Sequence, residues 1–232
     1  MIDRAAPFAF VDDVDAPALT RDDHHHLARV RRLRDGEPLT VGDGRGAYRR
    51  VRFGDDLRPD GDIVRTDAPT PPVAVGFALT KGDRPEVVVQ KLTELGVDRI
   101  VPFHAARTVV RWDEAKAARN VVRWRAIARE AAAQAHRPWL PTVDEVSDFA
   151  TLVAEAGATL AEPGGAPPSL DRPLVLVGPE GGWAPEELAA TPNRTALPGH
   201  VLRAETAAIV AGTLLVALRG HRNAGLAGSA GT

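Results

Sequence analysis

Two segments near the C-terminus, residues 174–183 and 197–208, constrain the fold of this chain more than any other stretch. Each starts with apolar, extended residues, breaks at glycine or proline, and then enters a predicted helix. The run Leu174–Val177 is typical of a strand buried on both faces of a parallel sheet. Because open α/β sheets bind ligands beyond the carboxyl ends of their strands, the glycines that follow predict a ligand-binding loop or, equally, a plain structural turn.

The second segment continues into a predicted helix over residues 204–218, which contain no proline. Glu205 stands at its start, Arg219 at its end, and Gly220 just beyond. Apolar residues cover nearly the whole circumference, which predicts burial on more than one side. Neither segment contains the G-x-G-x-x-G pattern or a Walker A lysine.

The composition excludes several classes of protein. The chain of 232 residues has no cysteine, which rules out disulfides, thiolate zinc sites and a cysteine nucleophile. Its net charge of −2 means that RNA binding, if present, requires a local basic patch. No apolar run is long enough for a membrane span and no signal-peptide pattern is present, so we expect a cytoplasmic protein without membrane contact.

Residues 1–70 form one compositional unit, and we expect it to be a small β-barrel domain. Short strand-like runs at 8–11, 38–41, 47–53 and 62–65 alternate with Gly/Asp turns. One helix is predicted from about 22 to 34. The proline-rich stretch 67–72 reads as a linker, and we place the domain boundary there.

The predicted helix of this unit is rich in arginine. Together with Arg49, Arg50 and Arg52 on a following strand, its arginines form a candidate cationic face for RNA phosphates. The alternative is a solvated helix whose charge is balanced by nearby aspartates. Three consecutive histidines begin the helix, but consecutive residues do not share a helix face, so no metal site is expected.

Residues 73–220 are predicted to form a second domain. The strand 73–79, the helix 84–95 and the strand 99–103 make a β-α-β unit, which argues for a parallel sheet. Helices at 113–135 and 147–156 and a strand at 158–161 follow, and the Gly/Pro-rich run to Pro168 predicts a flexible loop. Lys91 and Glu94, three residues apart on a helix face, predict a surface ion pair more readily than catalysis. Residues 221–232 are predicted to be a disordered tail.

Several motifs in this order resemble one family. Gly-Pro-Glu-Gly-Gly-Trp at 178–183, followed by Leu-Arg-Ala-Glu-Thr-Ala at 202–207, resembles the signature of the RsmE family, the 16S ribosomal RNA uridine N3-methyltransferases of the SPOUT class. The run His-His-Leu-x-Arg-Val-x-Arg-Leu at 25–33 and Lys-x-x-Glu-Leu-Gly at 91–96 match it too. Arg31 departs from the family's usual leucine, and Ala135 and His136 stand where the family has a small residue or cysteine and then glycine.

The resemblance implies an α/β fold with a SPOUT-type parallel sheet and a C-terminal trefoil knot, preceded by a PUA-like β-barrel domain that grips RNA. It implies a homodimer in which the helix after residue 204 packs at the interface. It implies S-adenosylmethionine as cofactor and no metal. The implied reaction is methylation of N3 of U1498 in 16S RNA, with the small ribosomal subunit as substrate and partner.

The resemblance also places candidate site residues. For the cofactor we expect backbone contacts near a set of apolar residues and glycines: Leu160, Gly178, Gly182, Leu197, Gly199 and Leu202. The catalytic candidates are Arg203, which would stabilise a uracil anion or bind phosphate, and Glu205. Glu205 would be a base, complement its helix N-terminus, or form a salt bridge with Arg203. RNA contacts are expected from basic residues in both domains: Arg29, Arg32, Arg34, Lys81 and Arg137.

Two other hypotheses remain open at this point. One is another SPOUT RNA methyltransferase, acting on a ribose hydroxyl. The other is a non-catalytic RNA-binding protein of ribosome assembly, which failure to bind S-adenosylmethionine would favour. For Arg137, dipole complementation at a helix C-terminus is an alternative to RNA contact.

Overall fold

The chain divides into two compact units. The computed structural model describes residues 2, 3 and 5–229. The first unit runs to Ala68 and also contains Arg129–Leu140, whereas the second contains Pro69–Ala128 and the chain from Pro141 onward. The boundary between the two units, at Ala68 and Pro69, falls within the predicted linker. The contribution of Arg129–Leu140 to the first unit was not predicted, because the long helix pattern around it carries no break.

The first unit is built on one five-stranded sheet in the order β1-β2-β3-β4, with β5 also paired to β3. Its strands are β1 (Phe8–Phe10), β2 (Pro38–Gly42), β3 (Ala47–Arg52), β4 (Arg58–Pro59) and β5 (Val64–Arg65). β1 pairs with β2 in parallel, and the other pairs are antiparallel. Among the described residues no hydrogen-bonded pair joins β1 to β4, so closure of the ladder into the predicted barrel stays a prediction.

The predicted helix over residues 22–34 ends earlier than expected, at Val30, and changes its geometry on the way. An α-helix, α1 (Arg21–His25), is capped by the Thr20 hydroxyl, which accepts a hydrogen bond from the Asp23 N–H. It passes into a π-helical turn, His26–Val30, and the chain then leaves the helix, with Arg32 at a φ of 57°. Residue periodicity did not predict this change because a single wider turn alters the hydrogen-bond partners without changing the apolar pattern.

The second unit is built on a seven-stranded sheet in which every strand pair is parallel, as predicted. The strand order is β12-β10-β11-β6-β7-β8, with β9 also beside β7. The strands are β6 (Ala74–Ala78), β7 (Arg99–His104), β8 (Thr142–Val143), β9 (Ser147–Asp148), β10 (Ala158–Ala166), β11 (Leu174–Val177) and β12 (Arg194–Thr195).

Five further helices complete the described chain: α2 (Arg84–Leu95), α3 (Glu114–Gln134), α4 (Phe149–Val153), α5 (Pro185–Ala190) and α6 (Ala204–Ser229). Gly96 ends α2 at a φ of 98°, as the sequence predicted. The predicted helix at 147–156 is shorter than expected, and its N-cap is Asp148, not Ser147. Among the described residues no helix is both long enough and apolar enough to cross a membrane.

Helix α6 packs against α2 and against strands β6 and β11. Gly212 permits this close approach, because a Cβ atom there would lie 2.5 Å from Leu92 Cδ2. Ala208, Ala211 and Leu215 are fully buried. The helix therefore buries one face in its own unit, which explains part of its all-round apolar character.

Two predictions for the C-terminal region are corrected by the structure. Residues 162–166, predicted as a flexible loop, belong to β10, although the register against β12 shifts between Ala161 and Ala166. Residues 221–229, predicted as a disordered tail, continue α6, because no proline interrupts the helical hydrogen bonds and glycine costs a helix only about 1 kcal/mol. The rest of the predicted tail, residues 230–232, lies outside the described residues.

Candidate active site

The two signature segments meet at one edge of the second sheet. In a parallel sheet all carboxyl ends lie at the same edge, and β6, β11, β10 and β12 are consecutive neighbours. The loops that leave these strands, at 79–83, 178–184 and 196–203, therefore open side by side. The sequence predicted each loop separately, and the strand order brings them together.

Trp183 shapes the first loop. Its indole is buried, and Nε1 donates a hydrogen bond to the carbonyl oxygen of Ala161, 3.0 Å away. A Cβ atom at Gly178 would lie 3.0 Å from the Trp183 ring, so the buried indole disfavours a larger residue at that position. Gly182 has a φ of 69°, and a Cβ atom there would meet no atom within 4 Å. The α-carbon of Gly182 therefore faces open space, while its N–H donates a hydrogen bond to the carbonyl oxygen of Pro179.

Two arginines hold the same loop from neighbouring strand ends. The Nη1 atom of Arg107, which follows β7, donates a hydrogen bond to the carbonyl oxygen of Gly181, 2.9 Å away. Arg84, the first residue of α2, forms an ion pair with Glu180. Neither arginine stands out in the sequence, since an isolated arginine after a strand carries no recognisable spacing signal.

A buried carboxylate, Glu187, fixes the helix that follows the loop. Its two oxygen atoms accept hydrogen bonds from the backbone N–H groups of Ala106 and Ala184, each 2.8 Å away. The side chain is only 4% exposed, so its charge is satisfied by these two donors. Glutamate at the third position of a helix is a recognised capping signal, and it could have identified this residue.

The second loop carries Leu197, Gly199 and Leu202. Both leucines are half-buried, whereas the loop tip, His200 and Val201, is exposed. Gly199 has a φ of 100°, a conformation that favours glycine, and a Cβ atom there would have only Leu202 Cδ2 nearby, at 4.0 Å. Like Gly182, this glycine leaves its backbone open.

Leu160 lies deeper than the other cofactor candidates. It is fully buried and packs in a cluster with Phe103, Leu176 and Trp183. Its backbone N–H is hydrogen-bonded to the Asn193 carbonyl oxygen. Its side chain therefore belongs to the core, and its backbone lies between β11 and β12 inside the sheet.

Arg203 and Glu205 stand at the start of α6 but do not pair with each other. Arg203 is exposed, and its guanidinium bonds to no residue in the described part of the chain. Glu205 lies instead beside Arg84, with 3.9 Å between Arg84 Nε and Glu205 Oε1. The predicted alternative of a Glu205–Arg203 salt bridge is therefore wrong. The second oxygen, Glu205 Oε2, is buried and accepts no hydrogen bond from any described residue.

The structure places the RNA-binding candidates in different units. Arg29, Arg32 and Arg34 are exposed in the first unit, and their side chains form no ion pair within residues 2, 3 and 5–229. Arg137 also belongs to the first unit and is half-buried after the end of α3. Lys81 is exposed in the second unit, in the loop after β6. It is the candidate that lies at the same sheet edge as the signature loops.

The other basic residues proposed for the cationic face are already engaged. Arg50 and Arg52 both form ion pairs with Asp60, and Arg49 donates hydrogen bonds to the carbonyl oxygens of Val14 and Gly61. These contacts engage all three guanidinium groups within the first unit, although Arg49 Nε is buried without a hydrogen-bond partner among the described residues. The first unit also has exposed arginines that form no ion pair within the described residues, among them Arg29, Arg32 and Arg34.

One histidine of the second unit has a perturbed pKa. Burial at the end of β7, and secondly the positive charge of Arg111, lower the pKa of His104 below its ordinary value of 6.5. Its Nδ1 atom is buried and has no hydrogen-bond partner in the described chain. Within the described residues no group of three or more histidine, aspartate or glutamate side chains is arranged to hold a metal ion.

The chain matches known RNA methyltransferases over both units. Residues 66–216 match the model of an RNA methyltransferase domain, and residues 19–51 match that of an RNA methyltransferase PUA domain. A protein of Mycobacterium bovis named ribosomal RNA small subunit methyltransferase E is 37% identical over 217 residues, covering 82% of each chain.

Solved structures agree with this match. A methyltransferase of Legionella pneumophila in complex with the cofactor SAM superposes with a TM-score of 0.81 at 27% identity, covering 91% of this chain and 97% of that one. Ribosomal RNA small subunit methyltransferase E of Neisseria gonorrhoeae, bound to S-adenosyl methionine, gives a TM-score of 0.75 at 25% identity, covering 90% and 96%. The chain therefore belongs to the ribosomal RNA small subunit methyltransferase E family.

Proposed function

We propose that this protein transfers a methyl group from S-adenosylmethionine to N3 of a uridine, U1498, in the 16S RNA of the small ribosomal subunit. The family membership supports ribosomal RNA as substrate, and the solved relatives that carry the cofactor support S-adenosylmethionine. The structural observation that carries the proposal is the pair of glycine loops at one sheet edge, with open backbone at Gly182 and Gly199.

The residues around these loops fit the cofactor. An adenine ring needs a flat apolar slot with backbone hydrogen bonds, and the half-buried Leu197 and Leu202 flank backbone that no side chain covers. We assign further backbone contacts to the chain near Leu160 and to Gly178. When bound, S-adenosylmethionine supplies an activated methyl group on a sulfonium centre. The protein then has to align the uracil and manage its N3 proton.

Two residues at the start of α6 serve this chemistry in our proposal. Forming the N3–methyl bond requires the N3 proton to leave, so the ring becomes anionic on the way. Arg203 is exposed and lacks an ion pair in the described chain, and it would stabilise that anion. Glu205 would accept the proton, because its Oε2 atom accepts no hydrogen bond from a described residue. N3 lies on the pairing edge, so the uridine must be unpaired or flipped out.

We propose that both units contact RNA. In the first unit the phosphates would meet Arg29, Arg32 and Arg34, whose exposed charges are not neutralised by a described carboxylate. Lys81 would contact RNA at the methyl-transfer edge of the second unit, and Arg137 would do so in the first. The first unit would thus act as an RNA-gripping PUA-like domain and residues 73–220 as the methyltransferase domain.

We further propose a cytoplasmic homodimer with a trefoil knot in its C-terminal region. Support for the dimer comes from α6, where Ile209, Val210 and Leu214 remain partly exposed on a helix whose other face is buried. Apolar residues on a half-covered helix are typical of an interface. Support for the knot comes from the resemblance of the signature loops to the SPOUT class.

The first experiment is methylation of small ribosomal subunits from a strain that lacks the modification. The protein and S-adenosylmethionine are incubated with the subunits, and reverse transcription is run through the 3′ region of 16S RNA. Because a methyl group on N3 blocks pairing, we expect a cofactor-dependent stop at one uridine. Radiolabelled RNA without a stop would indicate a ribose or other non-pairing position. Absence of label would instead favour a binding protein of ribosome assembly.

The role of Glu205 is tested by the Glu205→Gln variant, which keeps the shape of the side chain but not its charge. Loss of a general base lowers the rate by about 10²–10⁴-fold. We expect this fall in the single-turnover rate at saturating cofactor, with nearly unchanged subunit binding. A variant that retains the wild-type rate would assign the carboxylate a purely structural role at the helix N-terminus.

A further inference from the structure

Arg84 contacts both signature segments, 174–183 and 197–208, although it belongs to neither. Its guanidinium pairs with Glu180 in the first loop, and its Nε lies 3.9 Å from Glu205 Oε1 in the first turn of α6. The two carboxylates are 96 and 121 residues further along the chain (180 − 84 and 205 − 84). One cation at the start of α2 therefore ties together the two segments that border the candidate cofactor site.

The surroundings of Arg84 make this contact consequential. Glu180 and Glu205 carry like charges and share one guanidinium, so without it they would repel each other. Glu205 has only 18% of its side-chain surface exposed, and water cannot replace the lost partner fully. Arg107 holds the neighbouring Gly181 carbonyl but contacts no carboxylate of the second loop. In the described chain Arg84 is thus the one cation that pairs with carboxylates of both loops.

We propose that Arg84 is a positioning residue that holds the two loops in the arrangement that binds the cofactor and keeps Glu205 in place for methyl transfer. The inference rests on the proposed function. In this role Arg84 acts through Glu180 and Glu205 and touches neither the methyl donor nor the uracil. Its removal should loosen both loops together, because both lose the same partner.

Two measurements test this role in the Arg84→Gln variant. The first is hydrogen exchange of the cofactor-free protein, where we expect faster exchange in peptides covering both 178–184 and 196–206. The second is the dissociation constant for S-adenosylmethionine, measured by calorimetry. If the binding arrangement is populated about a tenth of the time without Arg84, the dissociation constant rises about tenfold. The melting temperature should change little, because two-fifths of the Arg84 side chain is exposed.

Three further variants sharpen the test. Arg123→Gln removes an exposed arginine of α3 that pairs with Glu86, two residues after Arg84 in α2. Because this pair includes no carboxylate of the signature segments, the variant should leave exchange and cofactor binding unchanged. Arg84→Lys keeps a point charge that cannot hold two carboxylates equally, so it should restore binding in part. Glu180→Gln combined with Arg84→Gln should weaken binding by less than the sum of the single effects.

The outcomes separate this inference from the proposed function. Wild-type protein that binds the cofactor, together with an Arg84→Gln variant of unchanged affinity and unchanged exchange, would overturn the positioning role alone. Faster exchange in only one loop would also overturn it, since the two loops would then not share a partner. Wild-type protein that binds no S-adenosylmethionine would overturn both the inference and the proposed function.

Discussion

The indole of Trp183 lies parallel to the ring of Phe103, with the ring centroids 6.2 Å apart and 7° between the ring planes. Phe103 belongs to β7 and Trp183 to the loop after β11, so the contact joins two strand ends of the second sheet. The same indole is hydrogen-bonded to Ala161 on β10. The first glycine loop is therefore built on a rigid base, as a site that binds a ligand through backbone requires.

Replacing Trp183 should test that base. Trp183→Ala removes a buried aromatic side chain, which typically lowers the free energy of unfolding by about 3–5 kcal/mol. Trp183→Phe keeps the stacking surface but loses the donor to Ala161, and a loss of about 1–2 kcal/mol is expected. Urea denaturation followed by far-ultraviolet circular dichroism measures both. Equal losses in the two variants would mean that the ring contact contributes little.

His136 offers a stabilising substitution. It follows α3 at a φ of 53°, and the backbone bonds from His136 N–H to Ala133 and from Arg137 N–H to Ala132 form a helix-ending motif that favours glycine. His136→Gly should raise the free energy of unfolding by about 1 kcal/mol, because a left-handed residue with a Cβ atom is strained. Thermal denaturation provides the measurement.

His136→Ala is the matched control, because it removes the ring but keeps the Cβ atom. The imidazole lies 6.1 Å from the Phe8 ring, so some packing is lost in both variants. We expect His136→Ala to lower the free energy of unfolding and His136→Gly to raise it. If both destabilise equally, the ring contact outweighs the backbone strain.

A buried ion pair between α6 and the loop after α2 should be important for stability. Arg219 is 7% exposed, pairs with Asp98, and donates a hydrogen bond to the Gly96 carbonyl oxygen, 2.8 Å away. Arg219→Met leaves a partly buried carboxylate without this partner, which typically costs about 3–5 kcal/mol. Arg123→Met, in an exposed pair, should cost less than about 1 kcal/mol. Similar values in chemical denaturation of the two variants would contradict the distinction.

The stability of the second unit should depend on pH through His104. Because its pKa is lowered in the folded state, the unfolded chain binds more protons below about pH 6.5. This stabilisation is fully present above the pKa that His104 has in the unfolded chain, and it is lost as the pH falls through the pKa of the folded state. We therefore expect the wild type to lose more stability between pH 7 and pH 5 than His104→Gln. Parallel curves of unfolding free energy against pH for the two proteins would exclude His104 as the cause.

RNA affinity should depend on salt and on the exposed arginines of segment 29–34. Each phosphate contact contributes about 0.7–0.9 to the slope of log affinity against log salt concentration. Arg29→Gln, Arg32→Gln and Arg34→Gln should each reduce this slope for binding to small subunits. Arg50→Gln is the control, since Arg50 is already paired with Asp60. An equal reduction for Arg50→Gln would mean that general charge, not this segment, governs binding.

Local chemistry in the sequence was enough to predict most elements of the second unit. Pro85 and Gly96 bound α2, apolar runs mark β6, β7 and β11, and Pro185 opens α5. Because these signals depend only on neighbouring residues, they can be read without knowledge of the fold. The π-helical turn after His25 was not predicted, because it changes the hydrogen bonding within a helix pattern and not the pattern itself. The strand at 162–166 was not predicted, because it depends on pairing with β12, which is distant in sequence.

The sequence by itself determined where the backbone breaks and which residue types stand there: glycines at 178, 182 and 199, and Arg203 and Glu205 at the start of a helix. Only the tertiary structure decided which charges meet. The parallel strand order brings Arg84 to Glu180 and Glu205, which leaves Arg203 exposed and apart from Glu205. Ion pairs between residues about a hundred positions apart follow from strand order and helix packing, and residue spacing carries no information about either.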